Sequence, residues 1–155
     1  MLQISGLRVI HCVWQGPFGL PEAISATSGD DYGIYAIYGV HAVHGANALL
    51  YIGQSNANPF AARLSFHNQE WVPWEPSAVI VHLGRIAGWE PLADDQWGVL
   101  IDDAEALLIF YSSPAYNSSR ITAPGSGHPK IGYPRTFRDE QLLPFVPILK
   151  RALRA

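Results

Sequence analysis

The amino-acid sequence predicts an α+β domain with a small central antiparallel β-sheet of about three strands, flanked by helices. Three observations support this fold class. Short segments rich in Tyr, Ile and Val lie between glycines, which is typical of strands. The first two such segments are joined by a short link, which favours an antiparallel pair. The elements then follow in the order strand, strand, helix, strand, helix, without the regular alternation of a parallel sheet.

Three strands account for most of the predicted sheet. Residues 31–40 and 48–53 form the first two, and a hairpin-like link joins them. Residues 78–86 (AVIVHLGRI) form the third, on the strength of their Val, Ile and Leu content. The first 30 residues are rich in Gly and Pro, so we expect an irregular lead-in there, with one short strand near residues 7–14.

The first predicted helix follows the second strand. Asn58 suits an N-cap and Pro59 suits the first helical position, so the helix should begin there and run to about Gln69. Arg63 and His67 lie on this helix four residues apart, which makes them neighbours on its surface.

The second predicted helix begins at a capping box, with Asp102 as the cap and Glu105 at the third helical position. A polar, acidic connection over residues 89–98 precedes it, and we expect it to end before Pro114. Seven of the eight residues 104–111 are apolar, so most sides of this helix should be covered. A carboxylate at Glu105 is then costly unless it is paired, capped or bound to a metal. A cap and a functional ligand both fit.

The remaining sequence predicts a long Gly- and Pro-rich loop over residues 120–138 and a closing helix over residues 141–154. A chain of 155 residues is the size of one domain, which we place at 1–155. Cys12 is the only cysteine, so we expect no intramolecular disulfide and no cysteine-rich metal site. No stretch approaches the roughly 20 apolar residues of a membrane span, and the start lacks the features of a secretion signal. We therefore expect a cytoplasmic protein without a membrane partner.

The charge distribution bears on nucleic-acid binding, because phosphate contacts are largely electrostatic. The net charge is −3, which disfavours such a partner. However, residues 106–155 hold seven basic side chains against Asp139 and Glu140, whereas residues 64–105 hold eight acidic ones against Arg85. A basic face and an ordinary solvated surface both fit this pattern.

Two tripeptides, GIY at residues 33–35 and YIG at residues 51–53, lie on the two consecutive strands. Taken singly, the polar residues of these and later segments fit ordinary packing or surface roles. The further features of the pattern, in order, are Arg63 and His67 within R-L-x-x-H, Glu105 within the second helix, and Asn117 twelve residues later. In this order and spacing, the sequence resembles the GIY-YIG nuclease family over residues 32–120.

The resemblance implies a GIY-YIG-type fold and a metal-dependent endonuclease. The catalytic core would span residues 31–120, between a lead-in at 1–30 and a basic tail at 121–155. His67 matches a histidine found in a subset of members, including some restriction endonucleases, and would help Tyr35 to lose its proton. Tyr35 would act as general base toward the attacking water or would position that water. Tyr51 would lie beside the scissile phosphate, and Arg63 would contact the phosphate. Glu105 would be the sole acidic metal ligand, and Asn117 would support the site.

The chemistry of these residue types agrees with those roles. Arg63 offers a planar and permanently charged set of donors, which suits phosphate. One Mg²⁺ or Mn²⁺ per active site, held by Glu105 and several waters, would stabilise charge at the phosphate. Because the ordinary pKa of tyrosine is about 10, Tyr35 needs help from Arg63, His67 or the metal to act as a base.

Nucleic acid is the expected partner, DNA rather than RNA, and the oligomeric state stays open, a homodimer included. Bases interleaved with aromatic residues in the long loop predict contacts to phosphates and nucleobases. The basic residues concerned are Arg120, Lys130, Arg135 and Arg138. The same residues are equally compatible with a loop that folds over the core and leaves its arginines in solvent. Two other functions stay open: a catalytically idle GIY-YIG-like module that binds nucleic acid or protein, and a nuclease toxin or effector with an immunity partner.

Overall fold

The computed structural model describes residues 3–4, 7–8, 10–27, 29–87, 93–123 and 135–137, with the backbone alone described in the first two ranges and the last. Its strands are β1 (Gln3–Ile4), β2 (Leu7–Arg8), β3 (His11–Gly19), β4 (Gly33–His41), β5 (Gly45–Ser55), β6 (Ile80–Ala87) and β7 (Arg135–Phe137). Its helices are α1 (Leu20–Ser25), α2 (Phe60–Glu70) and α3 (Asp94–Ser112), with a short 3₁₀ turn at Val72–Trp74. The predicted closing helix over residues 141–154 lies outside the described residues.

The central sheet has the strand order β5-β4-β6-β3-β7. The first four strands of this order pair with one another in antiparallel fashion, and the three-residue β7 is parallel to β3. The predicted α+β class with an antiparallel sheet is therefore confirmed. The predicted count of about three strands is too low, because β3 and β7 also belong to the sheet.

Strand β3 overlaps the short strand predicted near residues 7–14 but continues to Gly19, through residues that the sequence predicts to be irregular. It pairs with β6 over nearly its whole length, and the register shifts between Gln15 and Phe18. Gly16 and Pro17 fall at that shift, where an interrupted ladder tolerates a residue without an N–H. Glycine and proline therefore mark a bulge here rather than the absence of a strand. Similarly, β7 lies inside the predicted loop over residues 120–138.

The predicted helix after the second strand is confirmed, with a small difference at its start. Helix α2 begins at Phe60, and its N-cap is Pro59 rather than Asn58. The side chains of Phe60, Leu64 and His67 are buried along one face of α2. This face packs onto the sheet and brings His67 to the strands that carry the GIY and YIG tripeptides.

Helix α3 begins eight residues before the predicted capping box. Its N-cap is Ala93, whose backbone N–H donates to the side chain of Gln96 at 3.2 Å. Asp102 and Glu105 therefore lie inside the helix, and the capping-box interpretation is wrong. The predicted end before Pro114 is confirmed, because α3 ends at Ser112. The acidic segment that suggests a connection is the exposed first turn of the helix, where acidic residues favour the positive end of the helix dipole.

Helices cover both faces of the sheet. Helix α3 covers one face, in a cluster that includes Ile34, Ala36 and Ile52 of the strands and Ala104, Leu108 and Ile109 of the helix. Helices α1 and α2 cover the other, in a cluster that includes Tyr35, Ile37 and Leu50 of the strands and Ala23, Phe60 and Leu64 of the helices. Successive residues of β4 thus point to opposite faces. Among the described residues, none of the helices has the length and apolar character that a membrane crossing requires.

Candidate active site

Residues of the GIY and YIG tripeptides face each other across β4 and β5, with Tyr35 opposite Gly53 and Ile37 opposite Tyr51. The tyrosine rings lie on the same side of the sheet, with centroids 6.2 Å apart. A Cβ atom on Gly53 would overlap the hydroxyl group of Tyr35 and lie 2.7 Å from the ring of Tyr51. Glycine at this position is therefore what allows the two rings to cross the strand.

Gly33 allows a second close approach, at the start of β4. A Cβ atom there would overlap the backbone carbonyl oxygen of Gly84 in β6 and lie 2.9 Å from the ring of Phe60. Its φ of +155° also disfavours any other residue. Gly33 thus sets the distance between β4, β6 and the start of α2, and so the position of Tyr35 relative to α2.

Tyr35 is fully buried and hydrogen-bonded to a histidine of α2. Its hydroxyl oxygen lies 2.7 Å from Nε2 of His67. On the other side of the imidazole, Nε1 of Trp71 donates to Nδ1 of His67 at 2.9 Å. The ring of Tyr51 lies 5.0 Å from the His67 ring, centroid to centroid. The two tyrosines, the histidine and the tryptophan therefore form one aromatic cluster with a hydrogen-bond path through it.

The groups in this cluster are electrically neutral at physiological pH. Burial, with a contribution from Tyr51, raises the pKa of Tyr35 well above its ordinary value, although Arg63 acts to lower it. Burial, with a smaller contribution from the charge of Arg63, lowers the pKa of His67 to about 4. A tyrosinate is therefore disfavoured at Tyr35, and an imidazolium is disfavoured at His67.

Arg63 provides the positive charge at the centre of the site. Its guanidinium is close enough to lower the pKa of Tyr35, Tyr51 and Glu105. Its Nε atom is buried and has no hydrogen-bond partner in the described part of the chain. A permanent cation with an unused donor is suited to an anionic oxygen, such as that of a phosphate.

Glu105 reaches the site from α3, on the opposite face of the sheet. Its side chain is only 11% exposed. Its Oε2 accepts a hydrogen bond from Nε2 of Gln54 at 3.1 Å and pairs with Nη1 of Arg120 at 3.2 Å. Asp102, one turn earlier on α3, shares both partners, since its Oδ1 lies 2.9 Å from Gln54 and 2.7 Å from Arg120. Two carboxylates, one amide and one guanidinium therefore form a compact network.

Ionisation of Glu105 is costly in spite of this network. Burial raises the pKa of Glu105 to about 7, and the nearby carboxylate of Asp102 adds to the rise. Arg120, Arg63 and the hydrogen bond from Gln54 act in the other direction but do not offset burial. Glu105 thus changes charge near neutral pH, and a further cation beside it would favour the charged form.

Asn117 stabilises the strand that carries the YIG tripeptide. Strand β5 is at the edge of the sheet. The side chain of Asn117 accepts a hydrogen bond from the backbone N–H of Ile52 and donates one to its carbonyl oxygen, both at 2.9 Å. One side chain thus satisfies both backbone groups of Ile52, as a neighbouring strand would. Asn117 supports the position of Tyr51 and does not itself reach the aromatic cluster.

Oxygen atoms of Asp102, Gln54 and Glu105 lie together and are ligands of the type that Mg²⁺ prefers. The described residues contain no group of three or more His, Cys, Asp or Glu side chains that could hold a metal. However, Oε1 of Gln54 is buried without a hydrogen-bond partner among those residues, next to the carboxylates of Asp102 and Glu105. Such a donor set fits a largely hydrated Mg²⁺ or Mn²⁺, which needs only one or two carboxylates from the protein.

Of the four basic residues that are predicted to contact nucleic acid, the structure describes Arg120 and the backbone of Arg135. Arg120 lies in the candidate site, where its guanidinium is engaged by Asp102 and Glu105. Its backbone is in the left-handed region, with φ of 64°, a conformation that persists where the surroundings fix it. Lys130 and Arg138 lie outside the described residues, and so does the side chain of Arg135, whose backbone is in β7.

Three residues of the site are not indicated as such by the motif pattern. Gln54 follows the YIG tripeptide and lies on the α3 side of β5, where it reaches Glu105. Asp102 is three residues before Glu105, a spacing that places both on one face of a helix once the helix is known to include them. Trp71 is four residues after His67, just past the end of α2, and this spacing is the signal in the sequence of their contact.

Comparison with protein-family models, with curated proteins and with solved structures found no significant match. Membership of the GIY-YIG family therefore stays a prediction, based on the motif residues and their spacing.

Proposed function

We propose that this protein is a metal-dependent endonuclease of GIY-YIG type that hydrolyses phosphodiester bonds, in DNA rather than RNA. One observation carries the proposal. Tyr35, Tyr51, Arg63 and Glu105 come from four different elements and lie close together, since Arg63 lowers the pKa of the other three and Glu105 raises the pKa of both tyrosines. A buried carboxylate near a half-buried arginine with an unused donor adds little to the stability of the fold, whereas a site for a charged ligand needs such groups.

Arg63 and Glu105 have different roles in the proposed reaction: Arg63 binds the phosphate and Glu105 binds the metal ion. Arg63 binds the non-bridging oxygens of the scissile phosphate, using donors that include its unpartnered Nε. Glu105 would hold the divalent cation, with Asp102 and Oε1 of Gln54 beside it. When bound, the cation supplies charge stabilisation at the phosphoryl and leaving oxygens.

Tyr35 positions the attacking water rather than removing its proton. The raised pKa of Tyr35 disfavours the tyrosinate that a general base requires. As a neutral hydroxyl held by His67, Tyr35 offers a fixed hydrogen-bonding group beside Tyr51. Positioning of this kind contributes to the rate by fixing the geometry of attack.

The experiment that tests the proposal is a cleavage assay on the purified protein. Supercoiled plasmid, single-stranded DNA and RNA are each incubated with Mg²⁺, with Mn²⁺ or with EDTA. We expect nicking of the plasmid with either metal and none with EDTA. The variant Glu105→Gln is the negative control and should not nick. Equal nicking by this variant, or cleavage of no substrate by the parent protein, would overturn the proposal.

A second candidate is a binding module without catalysis, and the ion pair between Arg120 and Glu105 favours it. That ion pair gives Glu105 a counter-ion within the chain, so the carboxylate network is complete without a metal. The two candidates differ in their response to Mg²⁺ in the absence of nucleic acid. A cation site predicts a rise in melting temperature with Mg²⁺ that is lost in Glu105→Gln, whereas the binding module predicts no rise.

A further inference from the structure

The imidazole of His67 is held by a hydrogen bond at each of its two nitrogens. Nδ1 lies 2.9 Å from Nε1 of Trp71, and Nε2 lies 2.7 Å from the hydroxyl oxygen of Tyr35. The ring is also 4% exposed, so solvent has little access to either nitrogen. The arrangement of protons in this chain therefore depends on which partner donates at each end.

Trp71 decides the direction of the chain. An indole nitrogen always carries hydrogen and is a donor only, so Nδ1 of His67 must be the acceptor and carries no proton. A neutral imidazole then carries its proton on Nε2. Nε2 therefore donates to the oxygen of Tyr35, and the hydroxyl proton of Tyr35 is directed elsewhere.

We propose that Trp71 is a positioning residue that holds His67 in the Nε2–H tautomer, which makes His67 a hydrogen-bond donor to Tyr35 and excludes it as the acceptor of the Tyr35 proton. Nε2 already carries a proton, and a proton on Nδ1 would face the N–H of Trp71. The catalytic meaning of this assignment rests on the proposed function, whereas the tautomer itself does not.

Because His67 is the donor, the hydroxyl oxygen of Tyr35 is the acceptor, and its own proton is directed away from His67. Donation therefore runs in one direction, from Trp71 to His67 and from His67 to Tyr35. The sequence resemblance implies that His67 helps Tyr35 to lose its proton, and the direction of donation opposes that role.

The test is the tautomeric state of His67 in the full-length free protein, measured from the ¹⁵N chemical shifts of the imidazole. The protein has six histidines, so the variant His67→Gln identifies the signals by their disappearance. We expect Nδ1 to resonate as an unprotonated nitrogen and Nε2 as a protonated one at pH 7. The reverse assignment, or a protonated imidazole, would overturn the proposal without reference to any activity.

The variant Trp71→Phe tests whether Trp71 holds this tautomer. Phenylalanine retains an aromatic ring but has no N–H to donate, so the Nδ1–H form should become populated and the two ¹⁵N shifts should move toward each other. Trp74→Phe is the matched control, because Trp74 is three residues further along and 83% exposed. If the ¹⁵N shifts of His67 are unchanged in Trp71→Phe, Trp71 does not hold the tautomer. If the shifts behave as expected but the parent protein cleaves no substrate, the proposed function fails and the tautomer assignment stands.

Discussion

Glu105 shows at the scale of one residue how a buried charge connects stability with function. Burial raises its pKa to about 7, from about 4.5 in an unfolded chain. Its contribution to stability is thus fully present below the unfolded value and is lost as the pH rises through the folded value. The size of the pKa change corresponds to about 3 kcal/mol at most.

We predict that Glu105→Gln gains stability relative to the parent protein as the pH rises from 5 to 8, by up to about 3 kcal/mol. The reason is that glutamine does not ionise, so the variant avoids the cost of a buried carboxylate. Denaturant unfolding at several pH values measures the difference. Asp95→Asn is the control, since Asp95 is exposed on the same helix. A difference that is constant from pH 5 to 8 would show that burial does not penalise the charge of Glu105.

Cleavage should depend on the same ionisation. If the charged form of Glu105 holds the cation, the cleavage rate at limiting Mg²⁺ rises with pH through about 7, and more Mg²⁺ shifts the rise to lower pH, because metal and proton compete for one carboxylate. Initial rates between pH 5.5 and 8.5 at two Mg²⁺ concentrations check this. If the midpoint of the pH profile is the same at both Mg²⁺ concentrations, the titrating group is not a ligand of the metal.

Removal of one hydroxyl from Tyr35 should separate chemistry from folding. We predict that Tyr35→Phe lowers the single-turnover cleavage rate by about 10²-fold, the loss expected when the attacking water is misplaced, with an intact fold. The variant also leaves the buried Nε2–H of His67 without its acceptor, which costs about 1–3 kcal/mol of stability. Tyr38→Phe is the matched control, because Tyr38 is buried on the same strand but packs on the α3 side. Rates within threefold of the parent would end the assignment of Tyr35 to the site.

At the scale of elements, the site depends on the edge strand β5. The backbone N–H and carbonyl of Ile52 have the side chain of Asn117 as their partner where a further strand would otherwise be. Backbone groups of Ala115 and Tyr116 extend this contact, since their N–H groups donate to the carbonyl oxygens of Leu49 and Leu50. The segment after α3 thus holds the strand that positions Tyr51.

We predict that Asn117→Ala destabilises the protein by about 1–3 kcal/mol and lowers cleavage, since both backbone groups of Ile52 lose their partner. Hydrogen exchange is the informative measurement, because the amide of Ile52 should exchange faster while that of Ile37 in β4 does not. Asn56→Ala is the control, because Asn56 is exposed and its side chain donates a hydrogen bond to the carbonyl oxygen of Gly98. Unchanged exchange at Ile52 would contradict the contact.

The sequence predicts the elements that carry the motifs better than it predicts their ends. The hairpin of β4 and β5, the helix α2 and the strand β6 follow from local composition, and their order predicts the antiparallel sheet. The start of α3 does not, because the first turn at Asp94 is polar and exposed and resembles a loop. The strand predicted near residues 7–14 overlaps the first half of β3, but the second half is not predicted, because Gly16 and Pro17 indicate a break and instead mark a bulge inside a paired strand.

The motif residues of the site follow from spacing, but their contacts do not. The approach of Gln54 to Glu105 depends on how α3 crosses β5, which no local pattern specifies. The pairing of Arg120 with Glu105 likewise brings together residues from both sides of the end of α3. The spacing of the motif residues predicts an acidic metal ligand at Glu105, and only the fold shows that Glu105 pairs with Arg120.

At the scale of the whole molecule, the distribution of charge decides how a protein with a net charge of −3 could bind a polyanion. The basic residues are concentrated after residue 105, so the sequence still predicts that the contacts to nucleic acid lie there.

We predict that the triple variant Lys130→Ala, Arg135→Ala and Arg138→Ala weakens DNA binding and makes the salt dependence of the affinity shallower. The expected change is about one unit of slope for each phosphate contact that is lost. A salt titration of binding measures the slope, with the triple variant Lys150→Ala, Arg151→Ala and Arg154→Ala as a control of equal charge. Equal slopes in the two variants would show that net charge alone, and not the loop, sets the affinity.

Residues 115–117, which bind the backbone of β5, also affect the tendency of the protein to self-associate. An open sheet edge is a template on which another chain can add a strand, and this is a common route to aggregation. On β5, the carbonyl oxygens of Leu49 and Leu50 and both backbone groups of Ile52 are hydrogen-bonded to residues 115–117. A second copy therefore cannot add a strand at these residues unless it displaces that segment. The same contact that positions Tyr51 thus protects this part of the edge against aggregation.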